Sequence, residues 1–370
     1  MKYLLSFIFV LAFLLSPITV SAEKNVLDYD TKEITDSLSD DAKSSLSDLG
    51  INSSDITELN NLSFDKILDE ILSATAQKAQ TPLKTLSTLI AVMLLCSLLY
   101  TFKSSAKTSA MQSVLSVCTT LCITLTVTIP VLSVIDNSVN IIKSAADFML
   151  AYIPAMVFII SATGRVVSGA AYYGLTVFMG QCVSRASSDI IAPFLKLFLA
   201  LGITAAVSPA VKLKGIIDFI AKITRWILGF VTTIFSAFLT VKQIITTSLD
   251  SVSDRAIKFS LTGFVPVAGA ALAEAYKSVE SSVSLLRSGV GVLALIAVAV
   301  MFLPALLECA LWMLSLRAAG AVGELLNLNE PVFLLESVRT VITTIFAVLL
   351  SVSAVFIIST ALVLMTGGVS

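Results

Sequence analysis

From Leu83 to Met365 the chain passes through a succession of long apolar stretches separated by small groups of charge. That pattern leaves few folds open. In a bilayer every backbone N–H and C=O needs an internal partner, so a chain that crosses repeatedly does so as helices or as a closed barrel. The apolar runs here are of helix-spanning length rather than the short alternating segments of a barrel. Only 13% of the residues are charged and 56% are hydrophobic, against about 25% charged in a typical soluble domain. The expected fold is an all-α polytopic membrane protein.

The N-terminus has the layout of a secretory signal: Lys2, then an apolar core from Leu4 to Leu15, then Val20-Ser21-Ala22. Cleavage is expected between Ala22 and Glu23, and the chain beyond it then starts outside the cytoplasm. Residues 23–81 hold 13 acids against 5 lysines and form a short acidic, helical extracytoplasmic region. Within it Phe64, Ile67, Leu68, Ile71 and Leu72 make an amphipathic stripe that Ser63 can cap. Asp65, Asp69 and Glu70 on the same segment are candidates for partner docking, with a solvated juxtamembrane collar as the equal alternative.

Residues 82–370 are read as the membrane domain. Spans are expected at Leu83 to Phe102 after a break at Pro82, Gln112 to Ile135, Phe148 to Thr163, Val166 to Val183, Ile190 to Val207 and Trp226 to Val241. Asp136, Lys143 and Asp147 mark a loop between the second and third. With the N-terminus outside, Lys103/Lys107, Arg165 and Lys212 to Arg225 fall on the cytoplasmic side, as the positive-inside rule requires. Beyond residue 241 come Gly289 to Leu316, a polar break over Gly320 to Arg339, and a last span, Thr340 to Met365. Eight spans are expected, with seven as the competing count.

The stretch from Ala256 to Gly291 departs from this pattern. Pro266 and Gly269 interrupt its apolar half, and Glu274, Lys277, Glu280 and Arg287 follow at helical spacing. The expectation is a broken or re-entrant segment near 261–288, with these six residues at a subunit interface or a polar pore rim, and a solvated helix face as the equal alternative for the four charged ones. Glu308, inside an apolar run, is the other candidate pore residue, because ionisable groups in a span are costly and are often functional.

No histidine is present, and no phosphate-binding P-loop or metalloprotease motif occurs. No catalytic constellation, cofactor site or metal site is expected. The five cysteines all lie in apolar runs and are read as buried small side chains, Cys118 and Cys122 sharing a helix face.

The segment GFVPVAGAALAEAYKSVESSVSLLRSGVG, Gly263 to Gly291, resembles the central segment of the stage III sporulation protein AE family, and the likeness extends loosely over nearly the whole chain. The resemblance implies a subunit in the mother-cell membrane around the forespore. It would work with the stage III sporulation proteins AA to AH, stage II sporulation protein Q and a separate ATPase, in a channel complex that sustains late forespore gene expression. Its partners would be those proteins and the lipid bilayer, with no nucleic acid. The residues themselves leave two other readings open, a stand-alone permease and a non-conducting assembly scaffold.

Overall fold

The computed structural model describes five long helical elements, a π-helical turn and a few isolated residues elsewhere. The helices are α1, Phe64–Lys103; α2, Ser109–Ala162; α3, Ala192–Val207, entered through the π turn Ala186–Ile191; α4, Gly269–Leu325; and α5, Asn329–Met365. Side chains are described for most of these helices, and in α4 from Gly289 onward. Among the described residues five helical segments are long and apolar enough to cross a membrane: Asp69–Leu98, Val117–Ser161, Ser188–Val207, Gly289–Leu325 and Asn329–Ala361. The protein is a helical membrane protein by that measure. The signal sequence, with Ala22 and Glu23, lies outside the described residues, as do most of the expected spans at 226–241 and 166–183.

Two expected breaks are absent and a third is much shorter than expected. First, α1 runs unbroken through Pro82, whose ring is buried. Proline removes one backbone hydrogen bond, but a helix packed on its neighbours keeps its course. Second, Asp136, Lys143 and Asp147 do not form a loop, and α2 continues through them as one helix of 54 residues, about 80 Å long. With Asn140 they follow one another at steps of four, three and four, so all four lie on one exposed face. Nothing between them breaks a helix, and the charges simply line its outer side. Third, the polar break at 320–339 shrinks to a turn at residues 326–328.

That turn has a definite mechanism. Leu328 N–H bonds Gly323 C=O at 3.0 Å and Asn327 N–H bonds Glu324 C=O at 3.1 Å. This is the Schellman pattern, and Asn327 takes the left-handed backbone it needs, at φ 55. Leu328 then accepts from Val332 N–H, and Pro331 sits in the first turn of α5, where a missing N–H costs least.

The start of the expected broken segment near 261–288, with Pro266, lies outside the described residues. Residues 269–288 are helical and continuous with the rest of α4, which reaches 57 residues. Their sequence, rich in Ala, Leu, Glu and Ser with no proline before Pro304, favours that continuity.

α4 is the hub. From Val290 to Leu306 nearly every residue is buried, so this helix is apolar all round because it is surrounded by protein. It packs along α5, α1 and α2. The α4–α5 pair is an antiparallel hairpin: Gly323 faces Val332, Met313 Sδ lies 3.3 Å from Thr343 Oγ1, and the Phe302 and Phe356 ring centroids are 6.2 Å apart. α1 runs parallel to α4. Its buried row is Ile67, Ile71, Thr75, Pro82, Thr85, Leu89 and Met93, so two members of the predicted stripe, Ile67 and Ile71, are core. Leu72 is exposed. α3 crosses α5 where Gly202 meets Ser337, the built Cβ lying 3.0 Å from Ser337 Cβ. Such close approach at small residues is how helices associate where lipid offers no hydrophobic drive.

Candidate functional site

The packing draws the ionisable side chains of four helices toward one level of the bundle. On the α2–α3 side, Asp136 and Lys196 form an ion pair with Nζ 2.6 Å from Oδ1. Just inside it, Ile135, Ser138 and Ile142 of α2, Leu195 of α3 and Ile345 and Leu349 of α5 close around a gap of about 10 Å³. That gap is apolar and too small for a ligand. Through α5 the same level continues at Thr343 and Met313, and reaches Trp312 and Glu308 on α4. On the far side stands Lys78 of α1, close enough for its charge to act on Glu308. Apolar helix lies on both sides of this layer. On one side are Leu89 and Met93 of α1 and Ile123 and Val127 of α2. On the other are Phe148 and Tyr152 of α2 and Val290 to Phe302 of α4.

Glu308 is half-buried and faces α1. Lys78 sits in register with the buried row of α1, four residues before Pro82, which is why it meets α4 rather than the surroundings. The step from Lys78 to Met93 matches the step from Glu308 to Gly323, where Met93 Sδ would lie 3.3 Å from an added Cβ. The two helices therefore stay parallel and in register between these contacts. Trp312, one turn beyond Glu308, is buried, and its indole N–H lies beside the carboxylate. It is not aligned as a hydrogen bond, so this buried donor has no partner among the described residues. Cys309 is buried next to it. An acid, a lysine and an unspent donor at one helix interface can exchange partners with small movements of α1 against α4, which a purely apolar contact cannot do.

Of the candidate site residues named from the sequence whose side chains are described, Glu308 alone reaches this layer, where it is joined by Asp136, read from the sequence as a loop marker. Asp69 is exposed and Glu70 half-buried on α1, while the side chain of Asp65 lies outside the described residues. Both Asp69 and Glu70 fall below Lys78 along α1, away from Glu308. Pro266 lies outside the described residues. Gly269 opens α4, and Glu274, Lys277, Glu280 and Arg287 lie within it, but their side chains are outside the described residues. Cys309 is a buried cysteine as expected, but Cys118, Cys122 and Cys182 are exposed and Cys96 is half-buried. Sequence reading missed Lys78 and Lys196. Both had a visible signal, a lysine falling in a periodic apolar row for Lys78 and inside the run IIAPFLKLFLAL for Lys196.

The family model for stage III sporulation protein AE matches residues 51–367, which takes in all five helices. The chain belongs to the stage III sporulation protein AE family. A curated relative, the stage III sporulation protein AE of Bacillus subtilis (strain 168), is 24% identical over 237 residues. That alignment covers 64% of this chain and 59% of the relative, so the chain spans about three-fifths of that protein's length. No solved structure matches the chain. Family membership supports a role in sporulation, and the described helices are long and apolar enough to cross a membrane.

Proposed function

We propose that this chain is an integral membrane subunit of the channel complex that links mother cell and forespore, and that late forespore gene expression depends on it. The observation that carries the reading is the family match across 51–367, which includes the whole helical bundle and the Glu308 layer. In this reading the subunit sits in the mother-cell membrane around the forespore, with its N-terminal region outside the cytoplasm. It works beside the stage III sporulation proteins AA to AH and stage II sporulation protein Q. A separate ATPase supplies energy, and this chain acts by assembly and passage rather than by catalysis. Glu308, Lys78 and Trp312 give the bundle an interface able to change partners when neighbouring subunits move. Asp69 and Glu70, on the outward side of α1, offer an acidic surface to partners outside the membrane.

The test is a clean deletion in the source organism, scored for vegetative growth, completion of engulfment and reporter expression in the engulfed forespore. The expected result is normal growth and engulfment followed by loss of forespore expression. A vegetative growth or uptake defect with sporulation intact would overturn the proposal and favour a stand-alone permease. Point variants then separate conduit from scaffold. Glu308→Gln should impair forespore expression while the complex still assembles, whereas reversing Asp65, Asp69 and Glu70 to lysine should impair assembly itself.

A further inference from the structure

The outer face of α2 is a row that runs the described length of the helix at steps of three and four. It begins with Cys118, Cys122, Leu125 and Ile129, the last two 74% and 75% exposed. Its middle is Asp136, Asn140, Lys143 and Asp147, and it ends at Phe158, 67% exposed. Asp136 is matched by Lys196. Lys143 and Asp147, one turn apart and opposite in charge, have no ion-pair partner among the described residues. Lipid suits the ends of this row but not its middle, and water suits the middle but not its ends. A protein surface with the same order of apolar, polar and apolar groups suits both.

We propose that this surface is a second copy of the chain, with α2 packed against α2 in parallel about a two-fold axis. A two-fold contact must be self-complementary, each residue i meeting j while j meets i. The row satisfies that condition. Lys143 of each copy faces Asp147 of the other across one helical turn, about 5–6 Å of axial offset, which a lysine side chain spans. Asn140 lies between Lys143 and Asp136, and its amide, both donor and acceptor, pairs with its own mate across the axis. A single polar residue of that kind fixes the register of parallel helices. Leu125 and Ile129 then meet their equivalents on one side and Phe158 meets its own on the other.

Oxidative cross-linking of the full-length chain in native membranes tests this. In a background with Cys96, Cys118, Cys122 and Cys182 changed to serine and Cys309 kept, Asn140→Cys and Ile129→Cys should each yield a disulfide-linked dimer of the chain. Leu95→Cys, 62% exposed on α1, should not. Lys143→Asp should lower the dimer yield of Ile129→Cys by about ten-fold through like-charge repulsion with Asp147. Lys143→Asp combined with Asp147→Lys should restore it, which a mere folding defect would not do. Monomer alone at both α2 positions, equal dimer at Leu95→Cys, or a cross-linked species containing a different protein would each overturn the proposal. So would failure of the double reversal to restore the yield.

Discussion

Two glycines near the end of α4 make a controlled experiment on the packing of the bundle. A Cβ built on Gly323 lies 2.7 Å from Val332 Cγ2 and 3.3 Å from Met93 Sδ, so α1, α4 and α5 meet there with no room for a methyl. A Cβ on Gly320 meets nothing within 4 Å. Both positions are helical, so Gly→Ala gains about 0.5–1 kcal/mol of helix propensity at either one. At Gly320 nothing opposes that gain. At Gly323 overpacking costs about 1–3 kcal/mol, since a β-branched valine has little rotamer freedom with which to yield. Gly320→Ala should therefore stabilise slightly, and Gly323→Ala should destabilise by up to about 2 kcal/mol on balance. Val332→Ala opens space at the second site only, so the pair Gly323→Ala/Val332→Ala should be less damaging than the sum of its parts by about 0.5–3 kcal/mol. Thermal unfolding of the detergent-purified protein reads all four variants. If Gly323→Ala is as stable as Gly320→Ala, or if the double variant is strictly additive, the three-helix junction is not built as described.

The remaining predictions concern the turn and the charged layer. Asn327→Gly should be neutral or slightly stabilising, and Asn327→Val should cost about 1–2 kcal/mol or more in the same unfolding assay, because only the first accepts the left-handed backbone readily. Trp312→Phe keeps most of the buried ring and removes an indole N–H that makes no aligned hydrogen bond among the described residues, so it should be nearly neutral in stability, whereas Trp312→Ala should cost about 3–5 kcal/mol. Lys78→Ala should lower the amount of folded protein in membranes more than Lys78→Ala with Glu308→Ala does, because the single change leaves the half-buried acid without its cation. Quantitative immunoblots of membrane fractions, with forespore reporter activity beside them, check that order.

The helical membrane class was legible because long apolar runs are a matter of local composition, and the family because the segment Gly263 to Gly291 resembles its central segment. Long apolar runs reveal buried or spanning helix wherever they occur, and Ile67 and Ile71 fell where their spacing put them. The breaks were misread for a common reason. Pro82, the charged group Asp136 to Asp147 and the polar residues between Gly320 and Arg339 are all local signs of interruption, yet outside the turn at 326–328 each is tolerated when the helix around it is held by its neighbours. Asp136, Asn140, Lys143 and Asp147 look like a loop when counted as charge and like a helix face when counted by spacing. Glu308 stood out because an acid in an apolar run is rare. Its neighbour Lys78 did not, since only the parallel docking of α1 on α4 brings the two together, and no pattern within either segment encodes that contact.

That parallel docking also sets a timetable for synthesis. α1 is made early and α4 late, with α2 and α3 between them, and a chain grows at about 5–20 residues per second. For on the order of ten seconds or more after α1 is complete, Lys78 and the row from Ile67 to Met93 have no α4 to dock against. The first helix must then wait in the membrane with its inner face uncovered and its lysine unmatched. Completion of the bundle falls to the last third of the chain, so a product that stops before α4 carries a helix built for a neighbour it never receives. Such truncated chains should be cleared by membrane quality control, and the cell would hold finished bundles or nothing.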